Sequence, residues 1–376
     1  MGRVLCVDDD EKKAREVADI LQRWKDNPFG QQLEAVIETN FNKAVQRLRH
    51  ERFDLVTLDL HAETDEKPAD VGDEAETVQQ GKRVLNELRK TRFVPVIFYS
   101  GYAEKIMSLS SLVVQVVKKG SNDLEAVRGA VRRLYNTGLP KLMRHIEEEQ
   151  RSYIWDTVDR HAKDFKDAVD SDDLLYLLGR RIAARLGRES IKELLEHPME
   201  KARPMEFYIY PPLPGAIKTG CIYGPDEGGV YWIVATPSCD FAQKKVEQVL
   251  MVGATPLATF PEFAKWHESR WTPDDKKPNG KGAYEDLVKL LTNRAGDRLR
   301  FLPGTFFVPP LVVDMQSLNQ IPIAEFTQGV PVCTLDSPYR ENLLLHLSKY
   351  YGRLGSPDLE VDKIFSRLAG LQPAVS

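Results

Sequence analysis

Short apolar runs alternate with amphipathic stretches along the first third of the chain. The runs from Arg3 to Val7 and from Phe53 to Leu58 are rich in β-branched and large aliphatic residues, as is typical of strands buried in a parallel sheet. Between them, apolar residues recur at helical spacing from Glu11 to Trp24 and from Asn40 to Arg49, on either side of an apolar run from Leu33 to Ile37. This β-α-β-α-β alternation predicts a parallel sheet with right-handed crossovers, the doubly wound α/β class.

Acidic residues follow two of the predicted strands at the point where each strand ends. Asp8 and Asp9 come after the first run, and Asp59 comes after the third. Because ligands of open α/β sheets bind beyond the carboxyl ends of the strands, we expect the three side chains to converge there. Crowded carboxylates raise one another's pKa, and a hard divalent cation relieves that repulsion. The pattern therefore predicts a Mg²⁺ site.

Two later segments extend this pattern. Residues 94–103 contain an apolar run that ends on Ser100, and residues 116–120 contain another that ends on Lys118 and Lys119. Together with the acidic residues, these segments resemble the fourth and fifth strands of the receiver domain of two-component response regulators. The resemblance covers the N-terminal third of the chain and implies a flavodoxin-like fold there.

The resemblance also implies a role for each residue of the site. Asp59 would be the phosphoacceptor, Mg²⁺ the cofactor, and a phosphohistidine on a partner histidine kinase or phosphotransfer protein the phosphoryl donor. Lys118 stays open as the alternative to Lys119, because Gly120 replaces the proline that usually follows the lysine. The implied assignments are Asp8, Asp9 and Asp59 for Mg²⁺, Ser100 for a hydrogen bond to a phosphoryl oxygen, and Lys119 or Lys118 for the phosphoryl charge.

Three features depart from the usual receiver pattern. Residues 63–76 form an acidic insertion, which fits a solvated loop, a lid over the phosphorylation site, or a contact that selects the partner kinase. The next helix is expected to resume near Gly81. His61 lies beside the expected path of an attacking water, so we hypothesise that it tunes the lifetime of the phosphorylated state. The usual aromatic residue of the fifth strand is absent, since Val116 or Gln115 occupies its place.

The chain changes character after the first domain. Gly138 and Pro140 form a helix stop signal, so the receiver domain is expected to span residues 1–137. Residues 138–203 are charged and helical and are predicted to be a linker. Residues 204–376 are predicted to be a β-rich α+β output domain with a small barrel. Strands are predicted at 207–210, 216–223, 230–235, 249–254, 305–308 and 311–314, helices at 142–165, 170–186 and 339–352, and a loop at 271–281.

Cys239 and Asp240 are the candidate output-site residues, because they follow an apolar strand and could supply a nucleophile or an acid. A cysteine that is simply a small buried hydrophobe explains the same pattern. The order of strands around these residues is similar to the SH3-like barrel of PemK-type ribonuclease toxins. That likeness implies a nuclease gated by the receiver as an alternative function.

Basic residues interleaved with tryptophans in the same region could bind RNA or single-stranded nucleic acid. Acids interspersed among them fit an ordinary charged surface equally well. The residues are Lys244, Lys245, Trp266, Arg270, Trp271, Lys276, Lys277, Lys281, Arg294, Arg298 and Arg300.

Composition narrows the class of protein. The 376 residues carry a mild net charge of −4, which by itself favours neither nucleic acid nor a membrane surface as partner. The four cysteines are scattered without a CxxC pair, which fits a reducing cytoplasm and argues against a disulfide framework. With no apolar leader or long apolar run, we expect a cytoplasmic protein without membrane contact. The leading hypothesis is a phosphorylated response regulator. A non-catalytic protein-binding adaptor and a homodimer stay open. The complete set of Asp8, Asp9, Asp59, Ser100 and a lysine argues against a pseudo-receiver used only for dimerisation.

Overall fold

The computed structural model describes residues 2–30, 32–59, 74–101, 103–120, 123–160, 163, 172–187, 191, 201–215, 217–275, 279–326, 329–353 and 359–371. The chain divides into two compact units, Met1–Pro198 and Met199–Ser376.

The first unit contains, within its described residues, a five-stranded sheet in the order β2-β1-β3-β4-β5. Every neighbouring pair of these strands is parallel, as the sequence alternation predicts. This order is that of flavodoxin-like doubly wound folds. The strands are β1 (Gly2–Val7), β2 (Leu33–Glu38), β3 (Leu55–Leu58), β4 (Val96–Ser100) and β5 (Val114–Lys118). The helices are α1 (Glu11–Gln22), α2 (Phe41–His50), α3 (Glu74–Thr91) and α4 (Asp123–Asn136), with a 3₁₀ helix at Ala103–Leu109.

Side chains alternate between the two faces of this sheet, and each face has its own core. Val4, Leu55 and Ile97 belong to the core that includes residues of α1 and α4. Leu5 and Phe98 belong to the opposite core, which includes residues of α2 and α3. α1 begins where the sequence supplies a cap, since the side chain of Asp10 accepts a hydrogen bond from the Lys12 amide at 2.9 Å. Because of this alternation, side chains just beyond two neighbouring strands can meet only when both continue the same face of the sheet.

Helices continue the first unit beyond α4. Gly138 has the left-handed backbone expected of glycine at a helix end (φ 75°), and α5 (Leu139–Ser152) follows it directly. A π-helical stretch (Tyr153–Asp159) prolongs α5, and α6 (Asp173–Arg185) contacts it through a two-point ion pair between Arg185 and Glu149. The single helix predicted over 142–165 is therefore wrong in its bounds.

The second unit is built on a seven-stranded sheet, counted over the described residues, in the order β10-β11-β9-β8-β7-β12-β6. All pairs between neighbouring strands are antiparallel. The strands are β6 (Tyr208–Ile209), β7 (Cys221–Tyr223), β8 (Tyr231–Val234), β9 (Gln248–Pro256), β10 (Leu299–Leu302), β11 (Leu311–Pro322) and β12 (Cys333–Leu335). The helices are α7 (Ser238–Ala242), α8 (Pro261–Ser269), α9 (Lys281–Leu291), α10 (Tyr339–Gly352) and α11 (Val361–Leu368), with 3₁₀ helices at Pro204–Phe207, Leu257–Thr259 and Ile323–Glu325.

This antiparallel sheet curls. The order ends at β10 and β6, yet the Tyr208 hydroxyl in β6 donates to the Pro303 carbonyl just past β10 at 2.7 Å. Leu343 and Leu347 of α10 pack into the same core as Ile233 and Val313 of the sheet. Closure into a small barrel stays a prediction.

Several predicted element bounds differ from the structure. Residues 305–308 form a turn and not a strand, because Pro303 precedes them and Pro309 and Pro310 follow, and proline cannot donate to a ladder. The helix expected to resume near Gly81 begins at Glu74, so the end of the acidic insertion is helical. The strand predicted over 216–223 is only Cys221–Tyr223.

Candidate functional site: an acidic pocket at the edge of the parallel sheet

Asp8, Asp9 and Asp59 meet beyond the carboxyl ends of β1 and β3. Each offers a carboxylate oxygen, and these oxygens lie within 4.8 Å of one another. Asp8 and Asp59 are both 3% exposed, and they follow Cys6 and Thr57 on the same face of their strands. The structure therefore brings together the three acids that the sequence predicts to converge.

Lys119 lies on these carboxylates. Its ammonium donates to Asp8 Oδ2 at 2.8 Å and to Asp59 Oδ2 at 2.6 Å. Burial by itself would lower the pKa of Lys119, but the hydrogen bonds to Asp59 and Asp8 outweigh it and raise that pKa, so the side chain stays cationic. Burial, together with the nearby Asp59 charge, raises the pKa of Asp8. One cation thus bridges two buried anions.

Lys118 points elsewhere. Its ammonium pairs with Glu104 at 2.6 Å, and both side chains are largely exposed. Side chains alternate along β5, so two consecutive lysines cannot face the same pocket. The structure places Lys119, and not Lys118, at the carboxylates.

Ser100 ends β4 next to the pocket and is fully buried. Its carbonyl accepts a hydrogen bond from the Lys119 amide at 3.1 Å, which fixes the end of β4 to the residue that supplies the ammonium.

The pocket also contains a residue that sequence reasoning missed. Tyr99 lines the cavity beneath Asp8 and Asp59, and its ring centroid lies 5.3 Å from the Lys119 ammonium. In the sequence it is one more large apolar residue of a buried strand, and only its alternation phase could have indicated its position in the pocket.

The donor set fits Mg²⁺. A Mg²⁺ ion holds oxygen ligands at about 2.0–2.1 Å, so opposite ligands lie roughly 4.2 Å apart. The observed limit of 4.8 Å requires only a small closure of the three carboxylates. Carboxylate oxygens are also the ligand type that this hard cation selects.

His61, the predicted modulator of phosphate lifetime, lies outside the described residues, as do residues 63–73 of the acidic insertion. The proposed roles of His61 and of the insertion stay predictions.

The candidate output residues show a different pattern. Cys239 is exposed on the short helix α7, and its thiol lies 3.5 Å from Asp240 Oδ1. His267 lies against Arg270 at 3.1 Å, and His346 Nδ1 accepts a hydrogen bond from the Arg300 guanidinium at 2.8 Å. The structure pairs Cys239 with an acid, and it places these two histidines beside arginines.

Two of the arginines proposed for nucleic-acid binding have internal partners. Arg298 makes a two-point ion pair with Asp314 at 2.8 and 2.6 Å. Arg300 is 5% exposed and donates to the carbonyls of Gly296 and Leu299. These contacts give both arginines a structural role in and around β10 and β11.

Comparison with known proteins gives matches only among solved structures. No protein-family model matches the chain, and no curated protein matches it. The response regulator TrrA from Thermotoga maritima, solved in complex with Mg²⁺-BeF, is 24% identical and covers 36% of this chain and 99% of its own, with a TM-score of 0.25. A CheY-like response regulator receiver domain protein from Methanospirillum hungatei is 17% identical and covers 36% and 98%, also with a TM-score of 0.25. A de novo designed Rossmann 2x3 fold protein is 16% identical and covers 37% and 92%, with a TM-score of 0.24.

These matches cover only the N-terminal third, and the predicted likeness of the C-terminal region to PemK-type barrels is not shown. Their scores are too low to transfer a function, so the chemistry has to be judged from the residues of the site. Across the part of the chain that the structure describes, no helix is both long and apolar enough to cross a bilayer.

Proposed function

We propose that residues 1–137 are a receiver domain that accepts a phosphoryl group on Asp59, and that the whole chain is a response regulator of a phosphorelay. The observation that carries the proposal is the placement of one partly buried ammonium on two buried carboxylates, with a third carboxylate close by, at the ligand-binding edge of the sheet.

The chemistry needs a nucleophile, a metal and a compensating cation. An Asp59 carboxylate oxygen would attack the phosphorus of a phosphohistidine, forming a P–O bond as the P–N bond to the donor breaks, with the imidazole nitrogen taking the electron pair. Asp8, Asp9 and Asp59 would hold the Mg²⁺ ion, whose charge stabilises the transferred phosphoryl oxygens. Lys119 would then pair with the new negative charge, and Ser100 would donate a hydrogen bond to a phosphoryl oxygen.

Phosphorylation would act as a local electrostatic switch. It adds negative charge and acceptor oxygens at one strand end, which draws Lys119 away from its present partners. Lys119 and Ser100 belong to segments joined by a backbone hydrogen bond, so a shift of one moves the other. A local change of this kind shifts the equilibrium between two conformations of the domain surface.

The phosphoryl donor would be a histidine kinase or a phosphotransfer protein. We propose residues 138–203 as a helical linker and residues 204–376 as an output domain without a helix-turn-helix. What supports an output role is that Met199–Ser376 forms a compact unit of its own on the same chain as the acidic pocket. The alternatives of a nuclease and of a protein-binding adaptor stay open for this unit.

The proposal is tested by incubating the full chain with Mg²⁺ and acetyl phosphate and measuring the intact mass. We expect a mass increase of one phosphoryl group that requires Mg²⁺ and is abolished in Asp59→Asn. Asp54→Asn is the matched control, because Asp54 lies at the opposite end of the same strand and binds Arg144 and the Arg3 amide. A wild-type chain that gains no mass, or gains it equally in Asp59→Asn, would rule the proposal out.

A further inference from the structure

Arg300 is a buried arginine in an end strand of the antiparallel sheet. It belongs to β10, the first strand in the sheet order, and it is 5% exposed. Its Nη1 donates to the carbonyls of Gly296 at 2.6 Å and Leu299 at 2.8 Å. These bonds tie the guanidinium to its own backbone. Its other amino group therefore presents a fixed cationic donor, and whatever lies against that group has to accept a hydrogen bond.

His346 supplies that acceptor from α10. Its Nδ1 lies 2.8 Å from Arg300 Nη2. A guanidinium has donors only and keeps its proton, so Nδ1 holds a lone pair and the imidazole is neutral, with its proton on Nε2. This hydrogen bond joins a helix to an end strand of the sheet.

α10 is held on the sheet by several contacts, of which this one responds to protons near neutral pH. Leu343 and Leu347 pack into the core of the sheet, and the Tyr351 hydroxyl donates to the Met315 carbonyl of β11 at 2.9 Å. Neither apolar packing nor a tyrosine hydroxyl changes charge between about pH 5 and 8, whereas an imidazole does. The contact through His346 is thus the one in this set that acid can break.

The charged groups near the imidazole disfavour its protonation. They are Arg300 of β10, Lys349 on the next turn of α10, and Asp297 in the segment before β10. Asp297 acts in the opposite sense, but its side chain is 75% exposed and lies 3.5 Å from Arg300 Nη2. Burial and the charges of Arg300 and Lys349 lower the pKa of His346.

Protonation of His346 sets two donors against each other. An imidazolium carries a proton on both ring nitrogens, so no rotation of the ring offers Arg300 an acceptor. The hydrogen bond is lost, and two positive charges face each other in its place. Arg300 stays bound to the carbonyls of Gly296 and Leu299, so the strain is relieved by movement of His346 and of the helix that carries it.

We propose that the contact between His346 and Arg300 is an acid-sensitive latch: it holds α10 on β10 while the imidazole is neutral and loosens the helix when the imidazole is protonated. The open form takes up the proton at the ordinary histidine value, about pH 6.5, and the closed form only at lower pH. Opening therefore becomes more favourable as the pH falls below about 6.5. The latch lies within the second unit and does not depend on phosphorylation of Asp59.

Hydrogen exchange of the full chain at about pH 7.5 and about pH 5.5 tests the latch, once the pH dependence of unprotected exchange is divided out. We expect the α10 amides of residues 346–351 to be about five- to tenfold less protected at the lower pH. The amides of α9 are the internal control, because Leu287 and Leu290 of that helix pack in a different core. An equal loss in α9 would mean general acid unfolding and would overturn the latch, as would protection of α10 that does not change with pH.

The role of the imidazole is tested with His346→Gln, whose side-chain oxygen can accept from Arg300 and does not titrate. We expect this variant to keep the wild-type protection of α10 at about pH 7.5 within threefold, and to lose less than about twofold of it at about pH 5.5. His267→Gln is the matched control, because His267 also lies beside an arginine, 3.1 Å from Arg270, but at an exposed place. It should respond to pH as the wild type does. A response of His346→Gln as large as that of the wild type would refute the proposal.

Lys349→Glu keeps the proposal testable if His346→Gln does not fold. Lys349 is exposed and lies one helical turn from His346, so the substitution leaves the core intact and replaces a repelling charge by an attracting one. The folded form should then tolerate the proton better, and we expect the loss of α10 protection at the lower pH to shrink by about twofold. An unchanged or larger loss would contradict the latch.

Discussion

Lys119 is the residue whose removal should reveal the electrostatic balance of the pocket. Its side chain is 17% exposed, and it neutralises two carboxylates whose side chains are 4% and 3% exposed. In Lys119→Met these anions stay buried without that cation, so we expect the free energy of unfolding to fall by about 3–5 kcal/mol in metal-free buffer. Urea unfolding of the full chain measures the change.

Lys118→Met provides the matched control for that substitution. Its ammonium forms an ion pair with Glu104 in which the side chains are 61% and 79% exposed, so we expect a loss below about 1 kcal/mol. Added Mg²⁺ should stabilise Lys119→Met more than the wild type, because the ion replaces the missing positive charge. Equal effects of Mg²⁺ on both proteins would argue against a shared site.

Some residues of the site could be predicted from the sequence, and others could not. Asp8, Asp9 and Asp59 were predictable, because each directly follows a short apolar strand and parallel strands deliver their ends to one edge. The choice between Lys118 and Lys119 was not, because alternation separates their faces without saying which face holds the site. Tyr99 was missed because in the sequence it is one more large apolar residue of a buried strand, and its contact with the Lys119 ammonium depends on the pairing of β4 with β5.

At the scale of elements, the contact between β9 and β11 makes a test of strand packing. A Cβ added at Gly253 would lie 2.2 Å from Ser317 Oγ and 3.0 Å from Ser317 Cβ, where the ladder between these strands shifts register. We expect Gly253→Ala to lower the free energy of unfolding of the second unit by about 1–3 kcal/mol, because the strands must separate locally. Thermal unfolding measures the effect.

The rescue of that substitution identifies its cause. Gly253→Ala combined with Ser317→Gly should recover much of the loss, because the clashing side chain is gone, even though glycine weakens a strand by itself. A double variant as unstable as the sum of the two single ones would mean that the loss does not arise from this contact.

Elements with a clear period were predicted well, and elements that depend on neighbours were not. The helix expected from 339 to 352 is α10 with the same bounds, because apolar residues recur along it between a proline turn and a glycine. β12 has only three residues, and its place between β6 and β7 is set by pairing over long separations. Such strands carry too little local pattern to be recognised.

At the scale of the whole molecule, the two compact units should unfold as separate transitions. Phe98 is fully buried in the first unit and Met251 in the second. We expect Phe98→Ala to lower the stability of one transition by about 3–5 kcal/mol and Met251→Ala to lower only the other by about 2–5 kcal/mol, because each cavity lies in a different core.

Mg²⁺ with beryllofluoride, which mimics a phosphoryl group, should stabilise only the transition that Phe98→Ala weakens, by about 2.7 kcal/mol at a hundredfold excess over its dissociation constant. Calorimetry of the wild type, both variants and Asp59→Asn measures these shifts, and Asp59→Asn should lose the ligand effect alone. A ligand that stabilised both transitions equally would show instead that binding at the acidic pocket also stabilises the second unit. The two units would then form one cooperative system.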